Sequence, residues 1–303
     1  MIDPLAEVVT LLQPGAPFSK VVDGAGAWRI RHPLLGRPFY CVILEGACCL
    51  MAEERDSLML TAGDFVLIPQ AFGFMMSSLE SLPPDAPDTS PIELMEGRFR
   101  LGRQSGPPEI AMLVGLCEFG SPDAALLVSL LPQLVHVRGQ SRLATLVELV
   151  REESRAQRPA REVVLARLLE VLLLEAFRAT PEIDTSPGLV RGLADERLAS
   201  AIRLMHENPA RPWTIAQLAG EAALSRSAFF ERFSRVVGVA PMEYLLAWRM
   251  ALAKTKLRNK EGSVAEIAEQ VGYSSASTFS VAFTRYAGMP PARYARRKMV
   301  EEP

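Results

Sequence analysis

Apolar residues fall in short runs in the first part of the chain and at helical spacing in the last. Between Trp28 and Ser78 the runs 39–44, 47–51, 57–60 and 65–68 are parted by Glu45-Gly46 and Ala62-Gly63-Asp64 and stopped by Pro69. Short apolar runs between turn residues predict antiparallel strands, and their regular spacing predicts a barrel or jelly roll. The stretch 82–91 is rich in Pro and Asp and predicts a surface loop. Residues 92–119 return to strand, and 124–131 form a short helix ended at Pro132.

Helical periodicity begins in earnest at 141–153, where Leu143, Leu146, Val147 and Val150 make one stripe. The next helix, 161–179, is apolar on more than one side: Val164, Leu165, Leu168, Leu169, Val171, Leu172, Leu173 and Phe177. Such a helix is buried nearly all round, so one face is expected on the barrel and another on a partner subunit, unless both serve the monomer's core. Residues 180–188 break the pattern. They predict a first domain over 1–180, a linker over 181–194 and a second domain over 195–303, opening with a helix at 195–207.

Within that second domain a pattern occurs twice. Ile215, Leu218 and Ala219 give a short one-faced helix, Ser225 can cap the next, Phe229, Phe233 and Val236 follow, and Gly238 can end it. Phe229, Phe233, Gly238 and Pro241 recur 50 residues later as Phe279, Phe283, Gly288 and Pro291, but Leu218 and Ala219 recur only 49 later as Ile267 and Ala268. The second turn is therefore one residue longer, and Gly272 is placed to help form it. Helix, tight turn, helix is the layout of a helix-turn-helix, whose second helix enters the DNA major groove. The two units span 214–236 and 264–287. Between them Leu245, Trp248, Leu252 and Leu257 mark a connecting helix with Arg249, Lys254, Lys256 and Arg258 on exposable positions. A bare duplication of some small helical unit would share less of this Phe and Gly spacing.

From about Arg197 to Arg297 the chain resembles the AraC/XylS family of bacterial transcription regulators. The resemblance rests on Leu218-Ala219, Leu224-Ser225, Phe233, Gly238, Pro241, Tyr244, Arg249, Ala253, Ile267-Ala268, 271–273, Ser277, Phe279, Phe283, Gly288, Pro291 and Tyr294. It implies an α+β chain: a cupin-like antiparallel β-barrel with flanking helices, then an all-α domain with two helix-turn-helix units. It also implies double-stranded DNA and RNA polymerase as partners, a small-molecule effector, and a homodimer formed through the helices after the barrel.

Charge changes the picture only when divided. The whole chain is at −2, which by itself argues against a nucleic-acid binder, but 195–303 holds 16 Lys+Arg against 11 Asp+Glu and 1–194 holds 17 against 24. A basic tail on an acidic domain fits DNA binding. Arg293, Arg296, Arg297 and Lys298 add a terminal basic cluster that either meets phosphate or is solvated. With no signal-peptide pattern and no uncharged apolar run of membrane length, a cytoplasmic protein with no membrane association is expected. Cys41, Cys48, Cys49 and Cys117 form no C-x-x-C pair, and Cys48 and Cys49 are expected on opposite faces of a strand. Reduced, partly buried thiols are the expectation, with redox sensing by Cys117 or the Cys48-Cys49 pair as the sharper alternative.

The segment 61–69 resembles the second motif of cupins, and the start of the chain resembles a subgroup of cupin sensory domains. In cupin enzymes imidazoles dominate the metal site. Here Val42 and Leu44 take the expected first-motif His places, Phe74 the second, and only His32, His136 and His206 exist in the chain. His32, before Pro33, reads as a turn residue. No metal and no cofactor are expected. A cupin-type enzyme with an accessory DNA-binding domain is the alternative, disfavoured because no Ser/His/Asp or Cys/His set replaces the ligands. An apolar effector could be lined by Trp28, Phe39, Phe65, Phe72 and Phe74, each of which could equally be core.

DNA contact is expected from the outward residues of the second helices: Arg226, Ser227, Phe230, Glu231, Ser234 and Arg235 in the first unit, and Ser275, Ala276, Ser277, Ser280, Val281 and Arg285 in the second. Glu231 could accept from a cytosine amino group and Phe230 meet a thymine methyl, while Arg235 and Arg285 grip phosphates. The second unit lacks long polar readers and is expected to add affinity more than specificity.

Overall fold

The computed structural model describes residues 3–32, 36–52, 57–69, 73–80, 82–83, 85–121, 124–156, 158–179 and 187–296. The chain divides into two compact units, one of residues 12–185 and one in which 1–11 join 186–303. Helix α1, Pro4–Leu12, runs across that division.

Among the described residues eleven strands form the body of the first unit: β1 Pro14–Ala25, β2 Arg29–His32, β3 Phe39–Glu45, β4 Ala47–Ala52, β5 Leu58–Thr61, β6 Phe65–Ile68, β7 Phe74–Ser77, β8 Ile92–Met95, β9 Arg98–Gly102, β10 Ile110–Phe119 and, after helix α2 (Ala124–Ser129), β11 Val135–Val137. The expected barrel is built as two sheets, ordered β11-β6-β3-β10-β1-β9-β8 and β2-β7-β4-β5. Every pairing is antiparallel except β1 with β9. Gly46, at φ +77, makes the β3–β4 turn where a Cβ would lie 2.0 Å from the Glu109 carbonyl oxygen, so no other residue fits.

Side-chain alternation decides what lies between the sheets. Phe39, Cys41 and Ile43 of β3 and Val66 and Ile68 of β6 join Trp28, Cys48, Leu50, Leu60, Phe74 and Met76 in one core. Val42 pairs with Phe65 in register and occupies the opposite face, and Leu44 is 44% exposed. Neither of the two first-motif positions matched to cupin His ligands therefore points into this core, where Cys41 and Ile43 stand instead, whereas Phe74, at the second-motif position, does. Helices α3 (Ser141–Arg155) and α4 (Arg161–Arg178) pack on each other and on β1. Leu165, Leu169, Leu172 and Phe177 of α4 are buried, whereas Val164 and Val171 are exposed with Leu168 half-buried between them.

The second unit is helical: α5 Leu189–Ala194, α6 Glu196–Glu207, α7 Ile215–Glu221, α8 Arg226–Val237, α9 Pro241–Asn259, α10 Val264–Gln270, α11 Ala276–Ala287 and α12 Pro291–Arg296. Of the expected linker, 181–186 lies outside the described residues, and α5 fills its end, packed on α6 and α8. Asp195 caps α6 by accepting from the N–H groups of Arg197 and Leu198. Helix α9, about 28 Å long at 1.5 Å per residue, runs between the two helix-turn-helix units. Tyr244, Leu245, Trp248, Met250, Ala253 and Leu257 bury it on most sides.

Residues of α1 complete this unit. His206, fully buried on α6, bonds through Nδ1 to Glu7 Oε2 at 2.8 Å and through Nε2 to the Tyr244 hydroxyl at 2.6 Å. Burial drives the imidazole pKa down, against the pull of the Glu7 hydrogen bond and charge. The carboxylate can only accept, so Nδ1 carries the proton and Nε2 accepts from Tyr244.

Candidate nucleic-acid interface

Each helix-turn-helix unit is assembled by the same local devices. Thr214 opens α7 and Ser263 opens α10, both as complete capping boxes with Gln217 and Glu266. Ser225 and Ser275 cap α8 and α11 by accepting from the N–H of Ala228 and Thr278. Gly238 and Gly288 end those helices in the left-handed conformation, at φ 90 and 72. Phe229 and Phe233 lie tilted with ring centres 5.6 Å apart, and Phe279 and Phe283 5.4 Å apart, with Phe233 edge-on to Tyr244 and Phe283 edge-on to Tyr294. The tyrosines are a further pair 50 residues apart.

The turns differ. Ala223 holds the left-handed position of the first, at φ 51, and Gly272 the equivalent position of the second, at φ 86. In both, the following N–H returns to α7 or α10: Leu224 to Ala219 O at 2.9 Å and Tyr273 to Ala268 O at 2.8 Å. The extra residue of the second turn comes after Tyr273, at exposed Ser274. Gly272 thus serves the turn both units share and not the added length. A Cβ there would meet Ala210 O and Arg249 Nη2 at 2.8 Å.

The outward faces are set by the buried phenylalanines. In α8, Arg226, Ser227, Phe230, Glu231 and Arg235 are exposed, and Ser234 is half-buried. In α11, Ser277, Val281 and Arg285 are exposed and Ala276 and Ser280 half-buried; Ser280 donates to the Ala276 carbonyl. Ser275 is occupied with capping, and its hydroxyl also lies 3.0 Å from that of Ser277. Phe230 is 46% exposed and Val281 72%.

Several cations expected at the surface hold the protein together. Arg249 donates to the Pro209 and Arg211 carbonyls, Lys254 is buried with its ammonium 5.1 Å from the Tyr286 ring, and Lys256 and Arg258 are half-buried. Arg232, on α8 itself, bonds Asp195 at 2.8 Å, and Arg197 donates to the Ala223 carbonyl at 3.2 Å, tying α6 to the recognition helix and its turn. Helical spacing gave no sign of these two contacts. Of the terminal basic cluster, Arg297 and Lys298 lie outside the described residues.

In the other unit Trp28, Phe39 and Phe74 meet in the core between the sheets, Phe65 is buried on the opposite face of β6, and Phe72 lies outside the described residues. His32 belongs to β2, where it stacks on Phe74 at 4.5 Å. Burial, helped by the Lys20 charge, pushes its pKa down to about 4. Cys41, Cys48 and Cys117 are buried. Burial raises all three thiols, Cys48 and Cys117 to about 12, which disfavours the reactive thiolate. Cys49, on the other face of β4, is half-exposed. Among the described residues no three His, Cys, Asp or Glu side chains gather in a way that could hold a metal ion, and no single helix is long and apolar enough to cross a membrane.

Comparison with known proteins agrees with this architecture. A cupin family model matches residues 3–182, and a helix-turn-helix domain model matches 218–297. A putative AraC-like transcription regulator of Streptomyces lividans is 33% identical over 97% of this chain and 98% of its own. Another from Streptomyces antibioticus is 33% identical over 98% and 100%. An HTH-type transcriptional regulator of Haemophilus influenzae is 27% identical over 97% and 99%. The chain belongs to the AraC-like family of DNA-binding transcription regulators, with a cupin sensory domain ahead of two helix-turn-helix units.

Proposed function

We propose that the two units read DNA unequally. Glu231, Phe230 and Arg226 of α8 supply base discrimination through a cytosine amino group, a thymine methyl and a guanine edge. In α11, Ser277 and Val281 read little beyond a methyl group. Arg235 and Arg285, at matching places in the last turns, hold phosphates and fix register. The observation that carries this is the chemistry at equivalent positions: exposed Arg226, Phe230 and Glu231 against half-buried Ala276 and Ser280 and exposed Val281.

The unit of residues 12–185 senses a small, largely apolar effector through the core around Trp28, Phe39 and Phe74, and it catalyses no reaction. The exposed Val164 and Val171 with Leu168 form the stripe on which a second copy packs, giving a homodimer. The protein works in the cytoplasm and meets RNA polymerase at its promoters. Genome-wide binding of the tagged protein, followed by salt titration on the best site, tests the reading. A few sharp sites sharing a two-part motif support it. Diffuse binding that stays diffuse after addition of cell extract, as a source of effector, refutes it.

A further inference from the structure

We propose that the unit formed by residues 1–11 and 186–303 has a small-molecule site of its own, between α1 and α9, which takes an organic cation with an apolar body. A cavity of about 410 Å³ lies there, within the range of small-ligand sites. Asp3, Glu7, Thr10 and Leu11 line it from one face of α1, and Trp248 and Leu252 from α9.

Among the described residues the lining carries two carboxylates and no basic side chain. Asp3 uses Oδ1 to cap the first turn of α1, accepting from the N–H groups of Leu5 and Ala6, and Glu7 uses Oε2 on His206. Each thus keeps one carboxylate oxygen for a guest. Trp248 is buried, 1% exposed, and lines the site from α9. His206 stacks on one face of that indole at 4.0 Å, so the aromatic wall is held rigid.

An ammonium group placed between the two carboxylates gains charge pairing and charge-assisted hydrogen bonds. The leucines then cover a hydrocarbon or aromatic body. A bare Ca²⁺ or Mg²⁺ would want six or more oxygens and finds few here. The site is separate from the inter-sheet core, and a ligand in it would bridge α1 to the helix that joins the two DNA-reading units.

Calorimetry on the full chain with 2-phenylethylammonium, and with 3-phenylpropionate as the charge-reversed control, tests this. One equivalent of the ammonium is expected to bind and the carboxylate to fail. Leu252→Trp fills the cavity while leaving the Glu7–His206 bond in place and should abolish binding. Glu7→Gln should weaken it at least tenfold. Phe74→Ala, in the other unit, should leave it unchanged, so that failure of the inter-sheet effector site is read separately. Absence of ammonium binding, equal binding of the two probes, or full affinity in a folded Leu252→Trp variant would overturn the site.

Discussion

The first helix-turn-helix unit turns on an alanine and the second on a glycine, although both turns place that residue in the left-handed region and close with the same return hydrogen bond. Sequence alignment of the two units makes the glycine look like compensation for an inserted residue, but the insertion lies two positions on, at Ser274. What separates the turns is their surroundings. Gly272 sits under the Ala210 carbonyl and the Arg249 guanidinium, whereas the Ala223 carbonyl faces outward to Arg197. One backbone shape is thus reached by strain where there is room and by glycine where there is none.

The largest effect should come from removing that glycine. Gly272→Ala adds a left-handed penalty and presses a methyl group on backbone and on a guanidinium held by two carbonyls. A loss of about 2–4 kcal/mol is expected in urea unfolding of the full chain. A loss within about 0.5 kcal/mol would mean the second turn yields as easily as the first.

Next in size are the base contacts. Glu231→Ala should cut discrimination at one base pair by about 1–3 kcal/mol while leaving other positions intact. At the matching position, Val281→Ala should change preference far less. Arg285→Ala should weaken all sequences alike and reduce the slope of log affinity against log salt by about 1. Quantitative binding to a library of single-base variants at two salt concentrations separates these. Equal, uniform loss in both Glu231→Ala and Arg285→Ala would erase the proposed difference between the units.

Acid should also tell the units apart. Tyr244, the closing tyrosine of the first, rests on neutral His206, while Tyr294 of the second lies under Lys254. Because burial lowers the folded-state pKa of His206 below 6.5, the unfolded chain takes up the proton first. The contribution is therefore full above pH 6.5 and lost as pH falls toward the lower folded value, by at most about 1.4 kcal/mol per pH unit. The melting-temperature advantage of wild type over His206→Gln should be constant above pH 6.5 and shrink below it. An advantage that grows on acidification would require a charged imidazole between Glu7 and Tyr244.

The helical half was legible because a single buried stripe sets its period: Phe229 and Phe279 announce which residues face out. The sheets were less so. Strand β3 is buried on both faces, so its apolar run says nothing about parity, and a one-residue choice places Val42 and Leu44 inside where Cys41 and Ile43 belong. Strand β1 escaped notice because Pro, Gly, Lys20 and Asp23 break its pattern; Asp23 is buried and accepts from Arg98 at 2.8 Å. Contacts such as Glu7 with His206 join residues 199 apart and leave no periodic trace. For the same reason Arg249 reads as a surface cation until the loop carbonyls it serves are seen.

The smallest effect is the most direct test of the contrast between the turns. Alanine at φ 51 stands in a region that disfavours L-residues by about 1–2 kcal/mol. Ala223→Gly would relieve that strain, but it also frees the unfolded chain, which returns about 0.5–1 kcal/mol. The net gain should lie under about 1 kcal/mol, with DNA affinity unchanged because Ala223 points to neither base nor phosphate in the proposed interface. The same change in a Gly272→Ala background should add the same amount, since the two turns share no partner. If Ala223→Gly instead destabilises, the alanine methyl group must be making a packing contact worth more than the strain, and the first turn would be as specified by its neighbours as the second.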